Sequence, residues 1–137
     1  MIFLYTSFLF ALVSSKDEHH QRVVEVFKEF EGRRLSEALL TTNHVIAETI
    51  TLTRTLGHEQ AVRLGERLYS ERLARIHWTT PEEERAAFGY FKRYRDKDYS
   101  IVDCLSFVVM EQSGIREALA VDSDFTHRFT ARPGPAR

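Results

Sequence analysis

Met1-Ile2-Phe3-Leu4-Tyr5-Thr6-Ser7-Phe8-Leu9-Phe10-Ala11-Leu12-Val13 is the stretch whose reading decides the fold. A run this apolar invites two other readings, a secretory leader or a membrane span. A leader needs a cationic segment before its apolar run, and none is present. A bilayer needs about 20 apolar residues, and this run has thirteen. The expectation is therefore a short buried strand over Ile2 to Leu4, a turn at Thr6-Ser7, and a helical turn or two over Phe8 to Val13.

Outward from that stretch, strand and helix patterns alternate. Val23, Val24, Phe27 and Phe30 recur at helical spacing, which predicts an amphipathic helix over Asp17 to Phe30 with acids in its first turn. Ala38 to Thr41 reads as a second strand. Asn43 to Leu56 reads as a helix with Val45, Ile46, Ile50, Leu52 and Leu56 inward, closed by Gly57 as a C-cap. His58 to Glu71 is a further helix carrying Val62, Leu64, Leu68 and Tyr69, and Leu73 to Trp78 a third strand. Thr80-Pro81-Glu82-Glu83 is a strong helix start: Thr80 caps, Pro81 suits the first helical position, and Glu83 completes a capping box. That helix runs to about Arg95. Ser100 caps the next one, which Gly114 ends, and Ala118 to Val121 reads as a fourth strand. Such alternation predicts a parallel sheet flanked by helices, with 1–130 as one domain and 131–137 as a flexible tail.

The bulk numbers agree with a globular protein. The chain has 137 residues, 43% apolar and 28% charged, which suits a single domain with a sizeable core. The single cysteine, Cys104, excludes an internal disulfide and points to a reducing compartment. The net charge of -1 supplies no global field for nucleic acid. RNA binding would have to rest on local runs such as Arg33-Arg34 or Lys92-Arg93-Tyr94-Arg95, which in general are more often solvated helix faces.

Three acids carry the chemical interest. Asp122 directly follows an apolar strand, as Tyr5 does. In open α/β sheets ligands bind beyond the carboxyl ends of strands, so both side chains should face one crevice. Asp122 fits either a metal ligand or a turn former. Asp103 lies in Ile101-Val102-Asp103-Cys104-Leu105-Ser106-Phe107, a helix apolar nearly all round, where an acid needs a partner or a metal. It could equally complete a cap with Ser100. Glu48 sits at the edge of an apolar helix face, where a solvated flank is the bland alternative. A His44–Glu48 zinc pair lacks a third ligand at suitable spacing, and the six histidines are read as non-catalytic. Clustered carboxylates suit hard cations such as Mg²⁺ or Mn²⁺.

The segments MIFLYTSFLFAL, TTNHVIAET, DYSIVDCLSFVVM and ALAVDSDF, in this order and spacing, resemble the PIN domain, most closely VapC-type ribonuclease toxins. The resemblance implies a three-layer α/β/α sandwich with a parallel sheet of four or five strands. It implies Mg²⁺- or Mn²⁺-dependent RNA hydrolysis, on a transfer RNA or a ribosomal RNA loop, and a cognate antitoxin that blocks the acidic pocket. A homodimer, through a face such as that of residues 58–71, and a cytoplasmic location away from membranes are also expected. By position, Glu48, Asp103 and Asp122 match the family's metal-binding acids, and Asp124 is an auxiliary catalytic candidate. Thr6 and Ser7 match the hydroxyl residues of the opening motif. The family's first acid falls on Tyr5, where this sequence departs. A phenol is neutral at neutral pH and bulky, so the expectation is a retained fold and weakened or absent cleavage. The alternative is a non-catalytic PIN-like module that binds RNA or protein.

Overall fold

The computed structural model describes residues 1–136; Arg137 lies outside the described residues. The described chain runs β1 (Ile2–Leu4), α1 (Thr6–Val13), α2 (His20–Phe27), α3 (Leu35–Ala38), β2 (Leu39–Thr42), α4 (Asn43–Thr53), α5 (His58–Tyr69), β3 (Arg75–His77), α6 (Pro81–Arg93), α7 (Ile101–Ser113), β4 (Glu117–Ala120) and β5 (Thr130–Pro133). The strands form one parallel sheet in the order β3-β2-β1-β4-β5. Helices α1, α2, α4 and α5 pack on one another, and α6 packs on α7, which gives the α/β/α layering expected from the sequence. Phe3, Leu4, Phe8, Leu39, Ile46, Phe107, Leu119 and Phe125 are fully buried in the core between these layers.

Local signals set the helix starts. Thr80 Oγ1 accepts the Glu83 N–H at 3.1 Å, and Glu83 returns the bond to the Thr80 N–H at 2.8 Å. Ser100 and Asp103 do the same for α7, at 3.0 and 2.9 Å. Each box satisfies two donors that a helix start would otherwise leave bare. Gly114 ends α7 at φ 68°, a left-handed value that glycine adopts without a Cβ penalty.

Four expectations are corrected. First, α2 starts at His20 rather than Asp17, because the Asp17 carboxylate takes the His19 N–H at 2.8 Å and holds a turn there. Second, Leu52 faces outward and is 40% exposed. Val45, Ile46, Thr49 and Thr53 form the buried stripe of α4, so two threonines take places an apolar count assigns to leucine. Third, Val62 and Tyr69 are exposed, while Ala61, Leu64, Gly65 and Leu68 face inward. Gly65 lets α5 approach α4: a Cβ there would stand 3.0 Å from Ile50 Cδ1.

Fourth, the expected flexible tail over 131–137 is a strand for part of its length. Thr130–Pro133 pairs along β4, from Glu117 opposite Thr130 to Ala120 opposite Pro133. Thr-Ala-Arg-Pro has no apolar alternation, and an edge strand tolerates a proline that a central one would not. Distant polar groups hold it. Arg22 donates to the Pro133 and Gly134 carbonyls at 3.1 and 2.8 Å, and Arg132 to Glu29 at 2.6 Å.

Candidate active site

With the order β3-β2-β1-β4-β5, the direction in which successive strands are added across the sheet reverses between β1 and β4, which stay parallel. In parallel α/β sheets that reversal opens a crevice beyond the strand ends, where ligands bind. Tyr5 leaves β1 at this point, and Val121-Asp122 leaves β4 beside it. The start of α7 brings Asp103 to the same place, and α4 brings Glu48.

The acids interact. Burial pushes the Asp103 carboxyl up to about 7; the Ser100 N–H opposes this, and the charges of Asp124 and Asp122 add to it. Burial likewise raises Asp122, aided by Asp124 and Glu48 and opposed by the Ser7 hydroxyl. Glu48, Asp103, Asp122 and Asp124 therefore share one electrostatic neighbourhood. Asp103 is 5% exposed, while Glu48, Asp122 and Asp124 are half-buried.

Tyr5 occupies the middle of this neighbourhood. Its ring is buried and meets Phe125 edge-on, with centroids 4.6 Å apart. Its hydroxyl donates to Asp103 Oδ1. The Ser100 N–H takes the other oxygen, Oδ2, at 2.9 Å. Both Asp103 oxygens are thus occupied, one by the helix cap and one by the phenol. Of the two sequence alternatives for Asp103, the cap is present. Asp122 Oδ1 accepts the Asp124 N–H at 3.3 Å, so the turn-forming role is present as well.

The other expected residues fall as follows. Ser7 Oγ accepts the Val121 N–H at 3.1 Å and lies against Asp122. Thr6 is buried and its hydroxyl lies 3.3 Å from Thr49 Oγ1, which ties α1 to α4. The structure gives Thr6 this structural partner. His44 stands 3.4 Å from Glu84, and His77 2.8 Å from Glu83, both away from the acids. Phe125 and Tyr99 help shape the site, yet nothing in their local sequence marks them. Tyr99 packs edge-on against Phe107; burial pushes its phenol pKa up, and the charge of Asp124 raises it further.

Carboxylates are the right donors for Mg²⁺ or Mn²⁺. Their arrangement here is not a ligand set. Among the described residues, no three His, Cys, Asp or Glu side chains are placed to hold a metal ion. One Asp103 oxygen is bonded to Tyr5 and the other to the Ser100 N–H. In this chain the residues present do not fit the cation that the acids suggest.

The PIN domain family model matches residues 2–128. The chain is 35% identical over 127 residues to the 23S rRNA-specific endonuclease VapC20 of Mycobacterium tuberculosis, spanning 92% of each. It is 32% identical over 123 residues to a VapC ribonuclease of Archaeoglobus fulgidus, spanning 88% of this chain and 76% of that one. The crystal structure of M. tuberculosis VapC20, described as a sarcin-ricin loop cleaving toxin, superposes with a TM-score of 0.83 at 32% identity, over 93% of this chain and 94% of that one.

Proposed function

Since the chain belongs to the PIN-domain family, alongside VapC endoribonucleases, we propose that it is a VapC-type toxin fold whose RNA-cleaving site is closed by Tyr5. The observation that carries this reading is the bond from the Tyr5 hydroxyl to Asp103 inside the cluster of Asp122, Asp124 and Glu48. The motif order that matches Glu48, Asp103 and Asp122 to the family's acids supports this reading, as does the strand switch point beside them. With a carboxylate in place of Tyr5, such a site would hold a divalent cation, Mg²⁺ or Mn²⁺, which would supply activation of water and stabilisation of charge at phosphorus. Glu48, Asp103 and Asp122 are its proposed ligands, and Asp124 an auxiliary acid. Ser7 positions Asp122 through its hydroxyl, whereas Thr6 supports the site only through α4. Here the phenol adds bulk and no charge where a carboxylate would complete the set.

The substrate class is RNA, and a ribosomal RNA loop is the preferred target given the relatives' specificity. A cognate antitoxin is the proposed protein partner, and the cytoplasm the proposed location. Among the described residues, no helix is long and apolar enough to cross a membrane. A homodimer through α5 would use Val62 and Tyr69 with the adjoining Trp78, which stacks on Tyr69 with centroids 6.4 Å apart.

A second reading is a module that binds without cutting. The packing of Tyr5 into Phe125 favours it, since the phenol is built into the core rather than lodged on a surface.

Tyr5→Asp separates the two. For the disabled enzyme, the variant cleaves a ribosomal RNA hairpin with Mn²⁺ and not with EDTA, while the parent chain cleaves at least about a hundredfold more slowly, the order expected for a lost charge-stabilising group. A thermal melt with Mn²⁺ should rise for Tyr5→Asp alone, because a ligand that binds only the folded state stabilises it. Equal metal-dependent cleavage by both forms contradicts the closed site. No cleavage and no Mn²⁺-induced shift in either leaves the binding module as the reading.

A further inference from the structure

The outer face of α6 carries two exposed aromatic rings that the core does not use. Phe88 is 54% exposed and Phe91 44%, and their rings stack with centroids 6.5 Å apart and planes 12° from parallel. Lys92 Nζ lies over the Phe88 ring at 5.2 Å. With Tyr94, Arg95 and Lys97 these side chains line an open groove of about 480 Å³. Residues 88–98 hold four cations, Lys92, Arg93, Arg95 and Lys97, against two acids, Asp96 and Asp98, in a chain whose net charge is -1. Among the described residues, none of the four cations makes an ion pair with a carboxylate within 4.0 Å.

A chain of contacts joins the groove to the Asp124 backbone. Tyr94 packs on Tyr90, with centroids 4.6 Å apart. The Tyr90 hydroxyl lies 2.9 Å from His127 Nε2, and His127 Nδ1 lies 2.8 Å from the Asp124 carbonyl. The loop that closes the groove, residues 94–99, runs directly into Ser100, whose cap holds Asp103.

We propose that the groove on α6 is an RNA subsite, in which an unstacked base lies on Phe88 and Phe91 while Lys92, Arg95 and Lys97 hold the flanking phosphates. The proposal rests on the RNA-cleaving ancestry argued above. Exposed aromatic faces interleaved with cations are the means by which proteins hold unpaired RNA bases, because every base has a π-face and every link a charge. A protein partner needs a larger apolar area than two rings. A second copy packed two-fold on this face would set the same cations against themselves, which disfavours that occupant.

The test measures binding of a fluorescein-labelled sarcin-ricin-loop hairpin by anisotropy, in EDTA so that no strand is cut. Phe88→Ala/Phe91→Ala is expected to bind about tenfold or more weakly, with an unchanged dependence on salt. Lys92→Gln/Lys97→Gln is expected to reduce the slope of log affinity against log salt by about 1.4, two lost single-strand phosphate contacts. These side chains are exposed, and unchanged melting midpoints will establish that both variants fold. Parent-like binding by both variants overturns the subsite and leaves the proposed function standing, since cleavage by Tyr5→Asp reports on that separately. A drop in sedimentation mass for Phe88→Ala/Phe91→Ala, with RNA affinity kept, marks the face as a contact between copies and overturns the subsite. No RNA binding by the parent chain overturns the subsite and again leaves the proposed function to the Tyr5→Asp cleavage test.

Discussion

At the scale of the residue, Asp103 and Tyr5 form a buried polar pair with opposed tendencies. The carboxyl is driven toward its neutral form by burial and by Asp124 and Asp122, while the Ser100 N–H and the Tyr5 hydroxyl favour its charged form. Its value near 7 in the folded protein lies above the roughly 3.9 of an unfolded aspartate. A raised value means that the folded state binds the proton more tightly. The associated stability is complete below about pH 4 and is lost as pH rises through 7. Asp122 is raised for the same first reason, burial, and adds in the same direction. Asp103→Asn removes the larger of these costs, and its amide oxygen can still accept the Ser100 N–H. Its melting temperature should equal or fall below that of the parent at pH 4.5 and exceed it at pH 8. A difference independent of pH would show that Asp103 does not titrate in this window. Asp122 and Asp103 were legible as candidates from their positions after a strand and inside an apolar helix, Glu48 and Asp124 only through the family resemblance. Which hydrogen bonds they make was not, since the Tyr5–Asp103 bond joins residues 98 apart.

At the scale of the element, both capping boxes follow from four consecutive residues, and both form. Such signals depend only on the local backbone, so sequence suffices to find them. The Ser100 box also positions the site, because it takes one Asp103 oxygen and leaves the other to Tyr5. Ser100→Ala should destabilise the chain by about 1 kcal/mol, the usual worth of an N-cap. Urea denaturation measures this, and an unchanged midpoint would mean that Asp103 and Tyr5 hold the start of α7 without the cap. Side-chain direction was less legible. Leu52, Val62 and Tyr69 satisfy helical spacing yet face outward, because a helix buries the stripe its neighbours cover rather than every apolar residue. In α4 that stripe includes Thr49, whose hydroxyl bonds to Val45 O at 2.7 Å and so enters the core without a bare polar group.

At the scale of the molecule, β5 completes the sheet and covers the outer edge of β4. An uncovered parallel edge is a template for pairing with other chains. Deleting residues 130–137 should lower the thermal midpoint by several degrees, since even 1 kcal/mol shifts a domain of this size by about 2–4 °C or more. Light scattering should show association on heating; a truncated chain that melts like the parent and scatters no more than it would show β5 to be dispensable. The strand could not be read from Thr-Ala-Arg-Pro because its partners, Arg22, Glu29 and the β4 backbone, lie far away in sequence. By itself the sequence determined the alternation of strands and helices and the two capped helix starts. Each of these rests on periodicity or on bonds within one turn. Only the tertiary structure decided that Asp103, Asp122 and Asp124 come together near the switch between β1 and β4, that Tyr5 bonds to Asp103, and that the last residues add a strand. Those outcomes depend on which strand lies beside which, and strand order is set by packing the whole core at once.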